Sequence, residues 1–311
     1  MKLSVVIPCF NEEESLPATL ERVLGVVKPV CKDFEILLVD DGSRDATWVC
    51  ISKASAADER VRGIRLARNF GHQIALSAGL HAAQGDRIFI IDADLQDPPE
   101  LLPKMMGALD AGADVAYGRR VSRGGESAMK LATAFAFYRF INWLSDIEIP
   151  KDTGDFRLVS RRALDAVLSM PEKHRFLRGM FAWVGFQQVP IDYDRAERFA
   201  GETKYPFAAM MRFAVTAITS FSVRPLRLAM TFAGIFAIAS LLAVCYVVAG
   251  HFMGQTVQGW SSLMVVVLMI ASCQFLLLGI IGEYLGRMFV EQKKRPLFVI
   301  MEKTAPGESV S

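Results

Sequence analysis

Cysteine and histidine are scarce in this chain of 311 residues, which contains five cysteines and four histidines. The cysteines are scattered along the sequence, and no two of them form a C-x-x-C pair. This distribution argues against a disulfide framework and against a zinc site built from thiolates. It is typical of a reduced, cytosolic domain.

Two common phosphate-binding loops are also missing. No G-x-G-x-x-G follows the first predicted strand, and no G-x-x-x-x-G-K-[ST] occurs in the chain. Any binding of a diphosphate must therefore depend on a metal ion and on basic side chains. The net charge is only +2, and no basic or aromatic stripe is present, so we expect no nucleic-acid partner.

What the chain has in excess is apolar sequence, since hydrophobic residues make up 52% of it. The run from Leu228 to Gly250 contains no charged residue, and a second run, roughly Leu263 to Leu285, contains only Glu283. Each run is long enough to cross a bilayer core of about 30 Å as a helix. The sequence therefore predicts two transmembrane helices. Glu283 lies four residues before Arg287, which favours an ion pair on one helix face over a proton-relay role.

Basic residues flank the two predicted spans on one side only. Arg224 and Arg227 precede the first span, and the run Lys293 to Arg295 follows the second. The connecting loop, 251–262, contains neither Lys nor Arg. Because positive charge marks the cytoplasmic side, we predict a multi-pass protein of the inner (plasma) membrane with both termini and the large N-terminal domain in the cytoplasm.

The N-terminal part of the chain alternates between strand and helix patterns. The predicted strands are 3–10, 34–40, 61–66, 87–92 and 114–117. The predicted helices begin near Glu12, Asp45, His72 and Pro99. This alternation predicts an α/β fold with a mostly parallel sheet and helices on both faces. Ligands of such sheets bind beyond the carboxyl ends of the strands.

Polar clusters follow three of these strands, at residues 10–12, 40–43 and 92–94. Because the carboxyl ends of parallel strands meet at one edge of a sheet, we expect the three clusters to lie close together. Taken alone, Asp40 and Asp41 fit a helix N-cap as well as a contact with a nucleoside base or ribose. The convergence of three clusters favours a ligand site.

The cluster at the end of the fourth strand carries the most specific signal. Asp92 and Asp94 are separated by one residue, so their carboxylates can converge on one divalent cation. Mg²⁺ and Mn²⁺ take one or two protein carboxylates and complete their shell with substrate phosphates. A solvated turn that caps the next helix would explain these acids equally well if they stood alone. In context we predict a Mg²⁺ or Mn²⁺ site at Asp92, Asp94 and Gln96 that holds a diphosphate.

Three longer runs contain these clusters: VVIPCFNEEESL, LLVDDGSRDAT and RNFGHQIALSAGLHAAQGDRIFIIDADLQDPPE. Together with the two apolar spans, they closely resemble the polyisoprenyl-phosphate glycosyltransferases, the dolichol-phosphate mannose synthase-like branch of glycosyltransferase family 2. The resemblance extends from about Leu3 to about Arg295. It implies a GT-A (Rossmann-like) nucleotide-sugar-binding domain followed by two C-terminal transmembrane helices.

The resemblance also implies an activity. Members of this branch move a sugar from a nucleotide-sugar to a polyprenyl phosphate, which in bacterial members is undecaprenyl phosphate. We therefore expect an inverting membrane glycosyltransferase for a hexose-type sugar, with UDP as the preferred nucleoside carrier. The product would be a lipid-linked sugar donor for cell-envelope glycan modification. A homo-oligomer, with a tetramer favoured, is implied as well.

Site residues carry over where the motifs match. The implied nucleotide-sugar contacts are Pro8, Phe10, Glu12, Asp40, Asp41, Gln73, Asp92 and Ala93. The implied catalytic residues are Asp155, Arg120, Arg198 and Lys204. Asp155 resembles the candidate base of the family. A lipid phosphate is largely ionised near neutral pH, however, so we favour a positioning or electrostatic role for Asp155.

Basic residues are predicted to serve the two anions of this reaction. The run 195–205, RAERFAGETKY, resembles the R-x-x-G-x-[ST]-K-[YF] loop of the family. Arg198 and Lys204 in this loop, with Arg120, would neutralise the leaving diphosphate and the lipid phosphate. The glycine in the loop makes it a candidate lid.

The sequence predicts five segments. They are a nucleotide-sugar-binding half (1–118), an acceptor half with an interfacial helix (119–200), a lid loop with a second interfacial helix (201–226), two transmembrane helices (227–287) and a cytoplasmic tail (288–311). Within them, 128–145 and 205–223 are apolar nearly all round. Such helices lie at the bilayer surface, or they are buried against the domain or a neighbouring subunit.

Three other functions fit the sequence less well. A processive polysaccharide synthase would carry a Q-x-x-R-W motif, which is missing, and would need more spans for a polymer channel. A transporter would place more polar residues in its membrane part than Glu283 alone. A non-catalytic membrane scaffold that only binds nucleotide would not need Asp155 or the 195–205 loop.

Overall fold

The computed structural model describes residues 1–121, 153–194, 224–253 and 259–304. In these ranges the chain forms two compact units. The first contains residues 1–121, 153–194 and 296–304, and the second contains residues 224–253 and 259–295. The predicted 195–205 loop and both predicted interfacial segments lie outside the described residues.

The first unit is an α/β domain built around one sheet. Its strands are β1 (Leu3–Cys9), β2 (Phe34–Asp40), β3 (Val61–Leu66), β4 (Arg87–Ile90), β5 (Val115–Arg120), β6 (Thr153–Ser160), β7 (Gln188–Tyr193) and β8 (Ile300–Lys303). Its helices are α1 (Leu16–Val30), α2 (Thr47–Ala57), α3 (His72–Ala82), α4 (Leu102–Asp110), α5 (Arg161–Leu168) and α6 (Leu177–Trp183), with a short 3₁₀ turn at Pro99–Leu101.

The eight strands follow the order β7-β5-β6-β4-β1-β2-β3-β8. The central strands β4, β1, β2 and β3 are parallel, as predicted. Strand β6 runs antiparallel to both of its neighbours, β4 and β5, and β8 runs antiparallel to β3. The sheet is therefore mixed, and its parallel centre aligns the carboxyl ends of β1, β2 and β4 at one edge.

The central strands are buried on both faces. All seven residues of β1 and all seven of β2 are buried, which explains why both strands are nearly continuous apolar runs. Toward β7 the core is aromatic. The Phe156 ring lies 5.5 Å from the Phe89 ring and 5.6 Å from the Tyr193 ring, both edge-on, and so joins β4, β6 and β7.

Helix α1 begins at Leu16, four residues later than the predicted start near Glu12. The intervening backbone binds the loop after β2 instead of starting the helix. The Asn11 N–H donates to Ser43 Oγ at 3.0 Å, and the Glu12 N–H donates to Thr47 Oγ1 at 2.8 Å. The loops after β1 and β2 are thereby fixed to each other.

Strand β8 is not predicted by the sequence, and it lies in the segment assigned to a cytoplasmic tail. Its four residues are exposed, so it has no buried alternation that would reveal it. Thr304 fastens it to the sheet, because the Gly63 N–H donates to Thr304 Oγ1 at 2.7 Å and the Thr304 N–H donates to the Gly63 carbonyl at 3.0 Å. Ser55 Oγ donates to the same hydroxyl at 2.8 Å.

The second unit contains two long helices, α7 (Arg224–Phe252) of 29 residues and α8 (Trp260–Gln292) of 33 residues. By length and composition, one segment among the described residues, Met269–Gln292, can cross a membrane. The prediction of two transmembrane helices is therefore not confirmed. The predicted ion pair is confirmed, since Arg287 Nε lies 3.0 Å from Glu283 Oε1.

Thr304→Val tests how β8 is held. The change leaves the N–H of the buried Gly63 without its acceptor, which costs about 1–3 kcal/mol. Each kcal/mol lowers Tm by roughly 2–4 °C in a domain of this size. Thermal unfolding followed by tryptophan fluorescence measures the loss. Thr304→Ser keeps the hydroxyl and is expected to unfold near the wild-type temperature; an equal loss in both variants would contradict the assignment.

Candidate active site

The carboxyl ends of β1, β2 and β4 open into one cavity of about 580 Å³. The lining includes residues 8–15 after β1, Asp41 and Asp45 after β2, and residues 92–94 after β4. Asn69, His72 and Ala75 complete it. The three polar clusters that the sequence predicts to converge therefore line the same cavity.

The loop after β1 supplies an aromatic ring and acids to the cavity. Phe10 is 42% exposed, which leaves its ring free to contact a flat ligand such as a nucleoside base. The Glu12 carboxylate accepts a hydrogen bond from Ser15 Oγ at the start of α1. Pro8, Phe10 and Glu12, three of the predicted nucleotide-sugar contacts, all line the cavity.

Asp40, the first of the two acids after β2, does not line the cavity. Its side chain is fully buried, Oδ1 accepts the Ser43 N–H at 2.9 Å, and Oδ2 lies 3.3 Å from Arg65 Nε. Asp40 therefore stabilises the loop after β2. Neither carboxylate oxygen of Asp40 is accessible for the predicted direct contact with a nucleoside.

Asp41 does line the cavity, and its carboxylate holds a neighbouring loop. Oδ1 accepts the Phe70 N–H at 2.7 Å, and Oδ2 accepts the Gly71 N–H at 2.8 Å. The close approach of the two loops needs a glycine at position 42. Gly42 has a φ of +70°, and a Cβ there would lie 2.6 Å from the backbone carbon of Arg68.

The D-x-D motif follows β4, and both of its carboxylates line the cavity. Gln96 is buried, and its backbone N–H donates to Asp94 Oδ1 at 3.1 Å, which helps to fix that carboxylate. Asp92 Oδ1 is buried and has no hydrogen-bond partner among the described residues. Burial, opposed by the positive charge of His72 and assisted by nearby carboxylates, raises the pKa of Asp92 to about 7.

This donor set fits a hard divalent cation. Carboxylate oxygens are the ligands that Mg²⁺ and Mn²⁺ prefer, and the side chains of Asp92 and Asp94 both belong to residues that line the cavity. In the described ranges, no group of three or more His, Cys, Asp or Glu residues forms a metal cage. A cation at Asp92 and Asp94 would therefore take further ligands from substrate phosphates and water.

Asp155, on β6, belongs to a buried network. Its carboxylate is accessible over only about 6% of its surface. Oδ2 accepts a hydrogen bond from Gln73 Nε2 at 2.6 Å, and Oδ1 lies 3.3 Å from Arg178 Nε. Burial alone would raise the pKa of Asp155, but the hydrogen bond from His72 and the charges of Arg178 and His72 hold it well below its usual range.

His72 is the residue that the sequence interpretation missed. Its Nε2 lies 3.3 Å from Asp155 Oδ2 and 3.5 Å from Asp92 Oδ1, and 45% of its side chain is accessible. Burial opposes its protonation, but the hydrogen bond to Asp155 and the charges of both carboxylates raise the pKa of His72 to about 9. In the sequence, the one indication of a role for His72 is its position beside Gln73 in the RNFGHQ run. A single histidine at the start of a helix matches no motif.

Arg120 is held by another buried carboxylate. Arg120 Nη2 lies 3.8 Å from Asp97 Oδ1, and Arg120 Nε donates to Tyr193 Oη at 3.2 Å. Tyr193 Oη in turn donates to Asp97, whose side chain is fully buried. Because Asp97 belongs to the loop that contains the D-x-D motif, these contacts tie Arg120 to that loop.

The predicted site residues that the structure describes fall into four groups. Those that line the cavity are Pro8, Phe10, Glu12, Asp41, Asp92, Ala93 and Asp94. Asp40 and Gln96 support loops of the cavity, Gln73 and Asp155 belong to the buried network beside it, and Arg120 is tied to the D-x-D loop. Arg198 and Lys204 lie outside the described residues.

The α/β domain has a mixed sheet, and acidic loops with a D-x-D motif surround one cavity. This is the arrangement of a GT-A-type glycosyltransferase domain. Residues 4–168 match the family model Glycosyl transferase family 2. The chain belongs to this family.

Curated relatives extend the similarity to nearly the whole chain. The uncharacterized glycosyltransferase YkcC of Bacillus subtilis is 43% identical over 304 residues, which cover 97% of this chain and 94% of that protein. The prophage bactoprenol glucosyl transferase homolog of Escherichia coli is 38% identical over 302 residues, which cover 96% and 98%. The resemblance to polyisoprenyl-phosphate glycosyltransferases is confirmed at this level.

Among solved structures, S. aureus TarS 1-349 in complex with UDP-GlcNAc is similar with a TM-score of 0.47 and 20% identity. The match covers 71% of this chain and 67% of that one.

The pKa of Asp92 predicts how metal binding depends on pH. A carboxyl group with a pKa of about 7 must lose its proton to bind Mn²⁺, so the Mn²⁺ affinity is expected to rise from pH 6 to pH 8. Below pH 7 it should fall about tenfold per pH unit. Mn²⁺ titration followed by electron paramagnetic resonance, in the presence of UDP, measures this.

Two variants make this test specific. Asp92→Asn should bind Mn²⁺ weakly at every pH. Asp110→Asn, which changes an exposed carboxylate paired with Arg87, should behave like the wild type. A wild-type affinity that stays constant between pH 6 and pH 8 would contradict the assignment of Asp92 as a ligand.

Proposed function

We propose that this protein is an inverting glycosyltransferase that moves a hexose-type sugar from a nucleotide-sugar to a polyprenyl phosphate. UDP is the preferred nucleoside carrier, and undecaprenyl phosphate is the preferred acceptor. The observation that carries the proposal is the shared cavity, in which Asp92 and Asp94 lie beside Phe10, Glu12 and Asp41. One cavity thus combines contacts for a nucleoside with a carboxylate pair for a metal-bound diphosphate.

The choice of acceptor rests on the relatives. The bactoprenol glucosyl transferases of Shigella phages SfV and SfII are 38% identical to this chain over 302 residues, which cover 96% of it. Similarity over the whole length supports an acceptor of the same chemical class, a polyprenyl phosphate. Nothing in the motifs selects between hexoses, because such sugars differ in only a few pocket contacts.

The reaction needs one displacement. An oxygen of the polyprenyl phosphate forms a bond to the anomeric carbon, from the side opposite the nucleoside diphosphate. The bond between that carbon and the diphosphate oxygen breaks, and its electron pair leaves with the nucleoside diphosphate. The configuration at the anomeric carbon inverts.

Charge on two phosphate groups is the main obstacle to this displacement. A Mg²⁺ or Mn²⁺ ion held by Asp92 and Asp94, with Gln96 as a further predicted ligand, would neutralise charge on the departing diphosphate. Arg120, fixed by Asp97, presents a cation from β5. We also retain Arg198 and Lys204 as predicted cations for the diphosphate and the lipid phosphate.

Asp155 is better suited to positioning than to proton abstraction. Its carboxylate is buried, and both of its oxygens face donors: Gln73 and His72 on one side and Arg178 on the other. These contacts lower its pKa and so weaken it as a base. The acceptor phosphate is largely ionised at neutral pH and needs no base.

The membrane setting is part of the proposal. Helices of 29 and 33 residues contain the two apolar runs, which supports a pair of transmembrane spans. The flanking basic residues favour a multi-pass inner-membrane protein with its catalytic domain and both termini in the cytoplasm. Transfer would then occur on the cytoplasmic leaflet and supply lipid-linked sugar for cell-envelope glycan modification. A homo-oligomer, with a tetramer favoured, follows from the family resemblance.

Two alternatives make different demands. A processive polysaccharide synthase would lengthen a glycan chain and give a polymer as its product. A non-catalytic scaffold would bind nucleotide without turnover. The buried network around Asp155 favours an enzyme, because a scaffold gains nothing from two cations and an amide donor arranged around one buried carboxylate.

Sugar transfer into lipid tests the activity. Purified protein, undecaprenyl phosphate and Mg²⁺ or Mn²⁺ are incubated with a panel of radiolabelled UDP- and GDP-sugars, and label in the organic extract is counted. We expect one donor to label the lipid. EDTA or Asp94→Ala should remove at least about 99% of the signal, since a metal site supplies several kcal/mol of transition-state stabilisation.

The controls separate the alternatives. Asp110→Asn should keep wild-type transfer. Label in water-soluble polymer would favour the synthase, and nucleotide binding without transfer from any donor would favour the scaffold. Transfer that persists in EDTA would refute the metal site while leaving the acceptor assignment intact.

Reporter fusions test the two spans. Alkaline phosphatase joined after Gln255, between the two helices, should be active, because it is exported. The same enzyme joined after Thr304 should be inactive, because positive charge holds that end in the cytoplasm. Equal activity of the two fusions would show that α8, the one long helix between the two fusion points, does not cross the membrane.

A further inference from the structure

His72 lies between two carboxylates that serve different parts of the molecule. Asp92 belongs to the D-x-D motif and lines the cavity, whereas Asp155 is buried on β6. His72 Nε2 is 3.3 Å from Asp155 Oδ2, which is hydrogen-bond distance, and 3.5 Å from Asp92 Oδ1, which is an ion-pair distance. One nitrogen thus links the cavity to the buried network.

Asp155 is held firmly by groups other than His72. Gln73 Nε2 donates to its Oδ2 at 2.6 Å, and the side-chain oxygen Oε1 of Gln73 accepts the N–H of Leu177 at 3.0 Å. Arg178 Nε lies 3.3 Å from its Oδ1, and Arg178 Nη1 donates to the Thr153 carbonyl at 2.7 Å. The position of Asp155 is therefore set by α3, β6 and α6 together.

Asp92 has much less support of its own. Its Oδ1 is buried and has no hydrogen-bond partner in the described part of the chain, and His72 is the cation that faces it there. The contact between Oδ1 and His72 restrains the orientation of the Asp92 carboxylate. Oδ2 is then the oxygen that remains for a ligand in the cavity.

We propose that His72 is a positioning residue for the metal-binding carboxylate of Asp92, and that Asp155 acts on the reaction through His72. The inference rests on the proposed function, in which Asp92 holds a divalent cation. It assigns to Asp155 the role of orienting the imidazole, and to the imidazole the role of orienting Asp92. The chain of contacts from β6 to the metal ligand is Asp155, His72, Asp92.

General chemistry of metal sites supports this arrangement. Carboxylates that bind metals are themselves held by neighbouring groups, and loss of such a neighbour typically weakens metal binding by about 10–100-fold. A general base makes a different prediction. Removing a base slows the chemical step and leaves metal affinity unchanged.

Mn²⁺ affinity distinguishes the two roles without any turnover. Full-length protein in detergent is titrated with Mn²⁺ in the presence of UDP, and free Mn²⁺ is followed by electron paramagnetic resonance. His72→Ala and Asp155→Asn should each raise the Mn²⁺ Kd by about 10–100-fold. The double variant should have a Mn²⁺ Kd no higher than that of the single variant with the higher Kd, because both changes break the same chain of contacts.

Conservative and matched variants guard against misfolding. His72→Gln retains an N–H close to the position of Nε2, so it should recover most of the affinity lost in His72→Ala. His81 is an exposed histidine in the last turn of the same helix, and His81→Ala and His81→Gln should leave the Kd within about twofold of wild type. If Asp155→Asn does not fold, the two His72 variants decide the question.

Turnover at high Mn²⁺ gives a second readout. Because the defect lies in metal affinity, saturating Mn²⁺ should restore kcat in His72→Ala to within about tenfold of wild type. Turnover lost with an unchanged Mn²⁺ Kd would overturn the proposal and favour a base. Tighter Mn²⁺ binding in the His72 variants would also overturn it, since His72 would then compete with the metal.

Failure of the proposed function gives a different result. Wild-type protein that binds Mn²⁺ at Asp92 but labels no lipid would remove the acceptor assignment and leave the His72 inference standing. If the wild-type protein transfers sugar to lipid but the Mn²⁺ Kd does not change in the His72 variants, the proposed function stands and the His72 inference is wrong.

Discussion

Crowded negative charge at the carboxyl edge of the sheet is the constraint that shapes this domain. Seven carboxylate side chains line the cavity, and among the described residues His72 is the one cationic side chain in its lining. The acids that are buried deepest are neutralised by the protein itself: Asp40 by a backbone N–H and Arg65, and Asp155 by Gln73 and Arg178. The pair at Asp92 and Asp94 lines the cavity, where a divalent cation would balance the negative charge.

The same constraint divides the acids by role. An acid whose oxygens are occupied by backbone N–H groups, such as Asp41, fixes the shape of a loop and costs little to bury. Asp92 has a buried oxygen that lacks a hydrogen-bond partner within the ranges that the structure describes, so its carboxylate is less fixed and responds to charge in the cavity. Loops that carry many acids can therefore be rigid and still hold a binding site.

The sequence predicts the parallel centre of the fold well, because β1, β2 and β4 are buried on both faces and appear as apolar runs that end in polar clusters. It predicts the cavity for the same reason. It does not predict β8, whose four exposed residues have no hydrophobic period, or the late start of α1, which depends on hydrogen bonds to a loop over 30 residues away. His72 was missed because its role comes from two carboxylates far apart in the sequence, Asp92 in the loop after β4 and Asp155 on β6, which only the folded sheet brings together.

Strand β8 gives the chain an unusual order of assembly. Both long helices stand in sequence between β7 and β8, yet β8 pairs with β3 in the sheet that contains β1 and β2. During synthesis, the outer edge of β3 stays unpaired until the whole helical segment has been made. If those helices insert as the chain emerges, the last strand of the sheet closes only after insertion. A complete sheet would then form only in molecules whose two long helices have already entered the membrane.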